Sequence, residues 1–448
     1  MSPLFPQTAS PKLSTQRQPG VRILVAPSGF KESLGPDEVA DCIEEGIRRI
    51  LPESSALIRK VPLHDGGEGF CRALVAAQRG GIHNITVMGP TGEPVESHFG
   101  MIGGDSAVLD MATAAGLRLV PRNCRDPTVT TTFGVGQLMA AAVDQGCRKI
   151  IIGCGDSGTS DGGSGLLQAL GAKLIDASGE EIPTARGGGS LANLDRIDMS
   201  GLHPRLRAGK VKIEAICNIK NVLCGPNGVA RIFGPQKGAT PQQVETLSKA
   251  MDNVARAAKA ILGKDIGDVP GSGASGGLGA GLLLLGAELR PRSEAADEYF
   301  GLRNAFEKPW DVVITGEGSL DSQSARGKMT VEIARRARKL DAQVIVLAGT
   351  IGNGAESIYD AGVAAFTSIL DGPYSLEQAI KNTDRLLKDA AERSVRMLLA
   401  GMSLSSNNKK NKKKEQFPSS GPSYPGVNRN GNLDTLSDMK GLSRSVTC

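Results

Sequence analysis

The sequence predicts an α/β protein with a doubly wound, mainly parallel, Rossmann-like sheet and a second, inserted mixed α/β domain. The first observation is a series of short apolar runs that end abruptly in Gly-rich polar turns, as strands buried on both faces of a parallel sheet do. A helical pattern follows most of these runs. Two other regions alternate apolar and polar residues, which is typical of antiparallel strands.

The predicted strands of the first sheet share an apolar, β-rich core and a turn at each end. They are Arg22–Pro27, Ala56–Pro62, Lys149–Cys154, Asp311–Thr315, Gln343–Ala348 and Ala364–Ile369. Pro36–Leu51 is the clearest helix, because Pro36 suits a first helical turn and Val39, Ile43 and Ile47 recur at helical spacing. In such a sheet, ligands bind at the carboxyl ends of the strands.

The inserted domain is predicted from alternating segments. Ile85–Met88, Val95–Met101 and Ala107–Met111 indicate an antiparallel meander, Ala172–Ile182 indicates a hairpin about Ser178–Gly179, and Val211–Cys217 indicates a further strand. We assign residues 22–82, 128–171 and 296–400 to the Rossmann-like domain and residues 83–127 and 172–295 to the inserted domain. The cleft between two such domains is the expected ligand site.

The ends of the chain, residues 1–21 and 401–448, are predicted to be disordered. Gly401–Cys448 carries eight Lys or Arg against three Asp or Glu, so much of the net charge of +5 lies in this segment. Its lysine run, Lys409–Lys414, is either a nuclear localisation signal or, more commonly, a solvated tail. The rest of the chain is close to neutral, and aromatic residues make up only 3%. These features disfavour nucleic-acid binding.

The cysteines indicate a reducing compartment. The chain has eight cysteines with no CxxC pair, most of them in apolar runs, which predicts reduced thiols and a cytoplasmic protein. The four histidines are scattered, which disfavours structural zinc. No apolar stretch approaches the roughly 18 residues of a membrane span, so we expect no membrane association.

Four predicted strand ends combine glycine with charged residues. Phosphoryl transfer needs this combination: carboxylates for Mg²⁺ or for the attacking hydroxyl, cations for phosphate charge, and bare backbone amides. One Gly-Asp turn is ordinary in an α/β protein, but four at one edge of a sheet favour a functional site. The turns are Pro27–Ser33 with Lys31, Pro62–Gly69 with Asp65, Gly153–Gly163 with Asp161, and Thr315–Lys328 with Glu317, Asp321 and Lys328.

A fifth glycine-rich segment, Gly271–Gly281, leads into an apolar helical stretch. Gly273, Gly276 and Gly277 either leave amides free to bind phosphate at a helix start or permit a close helix contact. The dinucleotide fingerprint is incomplete, and no Walker or protein-kinase motif is present. Lys237 is interpreted as a phosphate ligand or a solvated loop lysine, and the threonines of Thr130–Gln137 as a helix N-cap.

Seven segments in their order along the chain resemble the bacterial-type glycerate kinase family, from about Arg22 to about Leu399. The resemblance implies a kinase that uses ATP and Mg²⁺ to phosphorylate glycerate, a small-molecule substrate, with two α/β domains around a cleft. The segments are IxxAPxxFKESL, PxxDGGEG, TTxxGxGxL, SxTxDGGxG, FGPQKGAT, PGxGAxGGxGAGLL and ITGEGxxDSQ.

The chemistry of the residues suggests roles in such a reaction. Lys31, Asp65, Asp161 and Asp321 are the candidates for the catalytic centre. Asp65 would bind the substrate hydroxyl or act as its base, and Glu317 with Asp321 would bind Mg²⁺. Phosphate or carboxylate charge would be neutralised by Lys31, Lys237 and Lys328.

The chain departs from the family pattern near the predicted site. Ser28, Asn218 and Lys220 stand where the family has aspartates, and Asp156 and Gly158 stand where Gly and Ala are usual. Three readings therefore stay open: a glycerate kinase, a weakened relative that acts as a binding or regulatory protein, and a kinase for another small hydroxy acid. The sequence predicts neither the phosphorylated hydroxyl nor the oligomeric state.

Overall fold

The computed structural model describes residues 20–30, 32–322, 324 and 327–415. Its strands are β1 (Val21–Val25), β2 (Ala56–Lys60), β3 (Gly81–Met88), β4 (Pro94–Ile102), β5 (Ser106–Asp110), β6 (Lys149–Gly153), β7 (Lys173–Asp176), β8 (Leu194–Asp198), β9 (Lys212–Cys217), β10 (Glu288–Pro291), β11 (Val312–Leu320), β12 (Gln343–Ile351) and β13 (Ala365–Ser368). Its helices are α1 (Pro36–Arg48), α2 (Phe70–Ala77), α3 (Ala112–Ala115), α4 (Phe133–Asp144), α5 (Ser164–Ala169), α6 (Pro204–Arg207), α7 (Val229–Phe233), α8 (Pro241–Leu262), α9 (Ala274–Leu284), α10 (Arg292–Tyr299), α11 (Leu302–Ala305), α12 (Met329–Arg338), α13 (Leu376–Lys381) and α14 (Thr383–Glu415).

The first sheet has five parallel strands in the order β13-β12-β11-β1-β2. Helix α1 packs on β1, and α12 packs on β11 and β12. The chain runs outward in opposite directions from the β1–β11 pair, where Ile23 lies opposite Val312. A ligand crevice is expected beyond the carboxyl ends of strands at such a switch point. The α/β class and the mainly parallel sheet predicted from the sequence are confirmed.

The second sheet has six strands in the order β10-β9-β6-β5-β4-β3. Strands β3, β4 and β5 pair antiparallel, which confirms the meander, whereas β5, β6, β9 and β10 pair in parallel. The apolar run Lys149–Cys154 thus lies in this sheet as β6, and not in the first sheet where sequence analysis grouped it. An apolar run with turns at its ends predicts a buried strand, but its partners come from distant parts of the chain.

The predicted hairpin Ala172–Ile182 is only partly formed. Strand β7 pairs antiparallel with β8, which lies beyond the predicted hairpin, in a two-stranded sheet. The segment after Ser178–Gly179 contributes an isolated bridge between Ile175 and Glu181. The turn residues were therefore identified correctly, but β8 takes the longer pairing.

The described part of the chain continues further than the predicted disorder allows. Helix α14 runs to Glu415 and so extends into the segment that sequence analysis assigned to a disordered end. At the other end, Val21 of the predicted disordered segment 1–21 belongs to β1, and residues 1–19 and 416–448 lie outside the described residues. Both sheets belong to one compact unit that ends at Arg396, and a second unit begins at Met397. Among the described helices, none has the length and apolarity needed to cross a membrane.

A buried carboxylate joins the parallel strands of the second sheet. Glu214 of β9 is 3% exposed and makes ion pairs with Lys149 at 2.9 Å, Lys212 at 3.0 Å and Arg290 at 3.1 Å. Burial opposes the charge on Glu214, but the three cations together lower its pKa to about 2. Since Arg290 lies in β10, this cluster ties β10 to the centre of the sheet.

We expect Glu214→Gln to lower the free energy of unfolding at pH 7 by about 1–3 kcal/mol, because Lys149, Lys212 and Arg290 lose their buried anionic partner. A lowered pKa stabilises the folded state above the unfolded-state pKa. The difference between variant and wild type should therefore shrink as pH falls below about 4.5 toward 2. Urea unfolding of both proteins at several pH values measures this difference in the free energy of unfolding.

Glu288→Gln is the matched control, because Glu288 lies opposite Glu214 on β10 and is largely exposed. Its effect should stay within about 0.5 kcal/mol. Equal losses for the two variants at pH 7 would contradict the stabilising role of Glu214.

Candidate functional site

The loop that follows β2 crosses from the first sheet onto the second. Gly66 has a φ of +86° and lies so close to the ends of β6 and β9 that a Cβ atom there would be 2.8 Å from the carbonyl oxygen of Ile216. The same atom would be 3.2 Å from the backbone nitrogen of Cys154. The sequence PLHDGGEG thus places Asp65 over the carboxyl ends of the second sheet.

Asp65 is paired with an arginine that sequence reasoning missed. Its Oδ2 accepts a hydrogen bond of 2.7 Å from Nη1 of Arg292. Both side chains are partly open, at 25% exposure for Asp65 and 19% for Arg292. Arg292 begins α10 directly after β10, so it too comes from a strand end of the second sheet. Because the strand Glu288–Pro291 was not predicted, Arg292 was not identified as a residue at a strand end.

The opposite wall comes from the loop between β11 and α12. The Lys328 ammonium donates to Oε2 of Glu317 at 2.5 Å, to the carbonyl oxygen of Ser319 at 2.6 Å and to Oγ of Ser324 at 2.9 Å. Burial raises the pKa of Glu317 above its ordinary value, although the Lys328 charge opposes this. Oε1 of Glu317 is buried without a hydrogen-bond partner, so it is an unused acceptor.

Asp321 lies in the same loop and shares a neighbour with Glu317. Its backbone nitrogen donates to Oγ of Ser324 at 3.2 Å, and that hydroxyl also contacts Glu317 at 3.3 Å. The hydroxyl of Ser319 donates to the carboxylate of Asp321 at 3.3 Å. The structure thus brings the predicted Glu317, Asp321 and Lys328 into one cluster.

The residues that depart from the family pattern after β9 lie against this loop. A Cβ atom on Gly327, which has a φ of +100°, would be 3.0 Å from Cδ of Lys220 and 3.1 Å from Oδ1 of Asn218. Asn218 follows Cys217 directly, and Cys217 lies opposite Pro291 in the β9–β10 pair. Asn218 and Lys220 therefore connect the Asp65–Arg292 wall to the Glu317–Lys328 wall.

Asp156 occupies a left-handed backbone position, with a φ of +52°. This conformation favours glycine and is tolerated by aspartate, which is the physical reason that Gly is usual here. Oδ2 of Asp156 accepts from the backbone nitrogen of Glu68 at 3.1 Å. Burial raises the pKa of Glu68, and the nearby Asp156 charge adds to the increase, whereas its ion pair with Arg118 lowers it.

Asp161 is enclosed rather than presented to a ligand. It is fully buried, and its carboxylate accepts from the backbone and hydroxyl of Thr132 and from the backbone nitrogens of Gly163 and Gly165. Burial raises its pKa, although these hydrogen bonds oppose the change. Thr132 is the N-cap residue of α4, as the threonine run predicts, but its hydroxyl binds Asp161. These contacts indicate a structural role at the start of two helices.

Lys237 and the glycine-rich segment Gly271–Gly281 contact the Gly153–Gly163 turn, which carries Asp156 and Asp161. The buried Lys237 ammonium donates to Oγ of Ser157 at 2.9 Å and to the carbonyl oxygen of Thr159 at 2.5 Å, so it is not a solvated loop lysine. Gly276, with a φ of +70°, touches the backbone of Thr159 so closely that a side chain has no room. Lys237 therefore fixes the turn that carries Asp156.

The other two glycines also have structural neighbours. Gly273 packs on the backbone of Val222, and a Cβ atom on Gly277 would be 2.7 Å from Cα of Gly162. Their amides donate within the protein, to Asn221 and Gly273 respectively. Close packing accounts for both positions, and their role in phosphate binding stays a prediction.

The predicted residues thus fall into two groups. Asp65, Glu317, Asp321 and Lys328 line the junction of the two sheets, whereas Asp161, Lys237, Gly273, Gly276 and Gly277 surround the turn behind it. Lys31 lies outside the described residues.

Sequence reasoning also missed Asp110, which ends β5 and accepts from the backbone nitrogens of Cys71 and Thr113, both at 3.2 Å. Burial raises the pKa of Asp110 to about 6, although these two hydrogen bonds oppose the increase. Asp110 holds the start of α2, directly after the Asp65 loop. An aspartate at the end of an apolar run was the signal that could have identified it.

We expect Asp161→Asn to lower the free energy of unfolding by about 1–3 kcal/mol, because an amide cannot accept from all four donors. Asp176→Asn is the control: Asp176 accepts from Ser178 and Glu180 in a comparable turn, but in solvent. Urea unfolding measures both. Unchanged stability for Asp161→Asn would contradict the structural role.

Comparison with known proteins agrees with the strand-end motifs. The chain matches the glycerate kinase family over residues 23–399. It is 43% identical to a glycerate kinase of Bacillus subtilis (strain 168) over 386 residues, which cover 86% of this chain and 98% of the relative. It is 42% identical to a glycerate 2-kinase of Escherichia coli (strain K12) over 384 residues, which cover 85% of this chain and 99% of that protein.

A solved structure has the same architecture. The crystal structure of a Salmonella typhimurium LT2 protein, described as glycerate kinase 2, aligns with a TM-score of 0.64 at 41% sequence identity. The alignment covers 86% of this chain and 100% of that chain. Because the family match spans most of the sequence and these relatives align over nearly their whole length, the chain belongs to the glycerate kinase family.

Proposed function

We propose that this protein transfers the γ-phosphoryl group of ATP to a hydroxyl of glycerate, in the space between the carboxyl edges of the two sheets. The observation that carries the proposal is the junction itself. It sets a partly exposed carboxylate, Asp65, and a guanidinium on one wall against a buried carboxylate and an ammonium, Glu317 and Lys328, on the other. Since the 42% identical Escherichia coli relative is named glycerate 2-kinase, we propose the 2-hydroxyl as the acceptor.

Asp65 is the proposed partner of the substrate hydroxyl. Its position over the ends of β6 and β9 and its partial exposure let it accept the hydroxyl hydrogen, as the catalytic aspartate of a kinase does. Arg292 keeps the carboxylate of Asp65 in place through their hydrogen bond.

The loop between β11 and α12 is the proposed phosphate and metal wall. Mg²⁺ usually binds proteins through one or two carboxylates, with water and phosphate completing its shell. The unused Oε1 of Glu317 and the nearby Asp321 fit this requirement. No group of three or more Asp, Glu, His or Cys residues that could hold a metal is found within the described ranges. When bound, Mg²⁺ would offset phosphate charge, and Lys328 would help to neutralise the remainder.

Lys220 and Asn218 give the junction a more positive potential than two aspartates would. Because Lys220 reaches the Glu317–Lys328 loop, it favours binding of anions and disfavours a second carboxylate-bound cation. We therefore propose a glycerate kinase that binds its substrates but turns over more slowly than relatives with both aspartates. The described cysteines are free thiols, in agreement with action in the reducing cytosol.

We predict that Asp65→Asn and Asp321→Asn each lower kcat for glycerate by about 100-fold or more, because each removes a charge from the proposed reaction centre. A coupled assay of ADP release with D-glycerate measures turnover. Both side chains lie in loops, so thermal unfolding should change little.

Asp105→Asn, in the exposed turn before β5, is the control and should leave kcat unchanged. If Asp65→Asn or Asp321→Asn retains near-normal turnover, the role proposed for that residue is wrong.

We predict that Asn218→Asp with Lys220→Asp raises glycerate kinase activity and its dependence on Mg²⁺, because the double change restores two carboxylates beside the Glu317 loop. Titration of turnover against Mg²⁺ concentration is the measurement. Lys210→Asp, in the exposed turn before β9, adds the same kind of charge elsewhere and is the control. An unchanged Mg²⁺ dependence in the double variant would exclude a role of this loop in metal binding.

A further inference from the structure

Arg292 has more hydrogen-bonding capacity than its neighbours use. A guanidinium carries five N–H donors. Among the described residues, the hydrogen bond from Nη1 to Asp65 is the one that Arg292 makes. Its Nε–H is buried without a partner. Leaving a buried donor unpaired destabilises the folded protein, so a protein that keeps one usually has a use for it.

The surroundings of Arg292 make it a strong anion site. Cys217, at the end of β9, and Cys154, which follows β6, are buried and close enough to Arg292 to feel its charge. Burial raises the pKa of the Cys217 thiol to about 11, although Arg292 opposes the increase, so this thiol stays neutral at physiological pH. The neutral wall leaves Asp65 as the anionic partner of Arg292, and low polarity strengthens the attraction between the guanidinium and any anion that reaches it.

Arg292 and Asp65 lie close enough together to bind two neighbouring groups of one 2-hydroxy acid. In such a molecule the carboxylate and the hydroxyl are attached to adjacent carbon atoms. Asp65 and Arg292 are in direct contact at 2.7 Å, so one small molecule can reach both side chains at once. Lys328, on the opposite wall, is then left to neutralise phosphate charge.

We propose that Arg292 is a specificity-determining residue that binds the carboxylate of the hydroxy acid through a bidentate pair, while Asp65 receives the adjacent hydroxyl. The inference rests on the proposed function for the identity of the substrate. A planar guanidinium matches a carboxylate with two parallel hydrogen bonds, which an ammonium cannot do. A turn of the side chain that brings Nε toward the substrate gives this buried donor a partner.

The test compares Arg292→Met with Arg292→Lys. We expect Arg292→Met to raise the KM for D-glycerate and its calorimetric Kd by about 10- to 100-fold, with the KM for ATP within about twofold of wild type. For Arg292→Lys we expect a KM and a Kd for D-glycerate between those of Arg292→Met and wild type, because lysine keeps the positive charge but lacks the paired N–H donors of a guanidinium. Calorimetry with D-glycerate alone gives a readout that does not require turnover, and thermal unfolding establishes that each variant is folded.

Arg336→Met is the matched control. Arg336 has the same 19% exposure and also pairs with acidic side chains, Asp297 and Glu332. It should leave glycerate binding unchanged. If Arg292 only holds Asp65 in place, Arg292→Met will lower kcat and leave the Kd for glycerate unchanged, which would overturn the inference.

The outcomes separate the inference from the proposed function. Arg292-dependent binding of D-glycerate without phosphoryl transfer would support the carboxylate site and refute the kinase. Turnover by wild type with unchanged glycerate KM and Kd in folded Arg292→Met would refute the carboxylate site alone. Absence of D-glycerate binding by wild type would refute both.

Discussion

The candidate site depends on one close backbone contact between the two sheets. The Asp65 loop of the first sheet lies directly on the turn after β6 of the second, and two glycines permit it. A Cβ atom on Gly155 would be 2.7 Å from Cα of Gly67, and one on Gly67 would overlap the carboxylate of Asp156. Real Cβ atoms do not approach other atoms so closely, so a side chain at position 155 would push the Asp65 loop away from the turn after β6, and one at position 67 would displace the carboxylate of Asp156.

Carboxylates near this contact are stabilised in different ways. The difference distinguishes a carboxylate that stabilises the fold from carboxylates that are available to a substrate. Asp161 is surrounded by backbone amides and a hydroxyl and holds two helix starts together. Glu317 shares its charge with Lys328 but keeps one oxygen unused. Asp65 is paired with an arginine that itself has an unused donor. Unused acceptors and donors next to a partly exposed pair are what a charged substrate needs, since it can then bind without breaking the protein's own hydrogen bonds.

The departures from the family pattern change the charge of the junction rather than its shape. Ser28 donates its backbone N–H to Gly316, so the end of β1 still lies beside Glu317 although the aspartate side chain is gone. Asn218 binds the backbone of Lys220 and keeps its own loop in place. A site can thus keep its architecture while its balance of charge moves toward anion binding, because backbone contacts hold the loops and side chains set the potential.

Local patterns in the chain were enough to predict the α/β class, most of the strands, and the loops that carry Asp65, Glu317, Asp321 and Lys328. Period and turn residues are properties of neighbouring positions, so they can be read without the fold. The partners of each strand depend on residues far along the chain. This is why β6 was grouped with the wrong sheet and the main partner of β7 was missed. The contacts of Asp161 and Arg292 depend on the tertiary structure alone: one aspartate is enclosed by backbone amides, and one arginine meets a carboxylate 227 positions away.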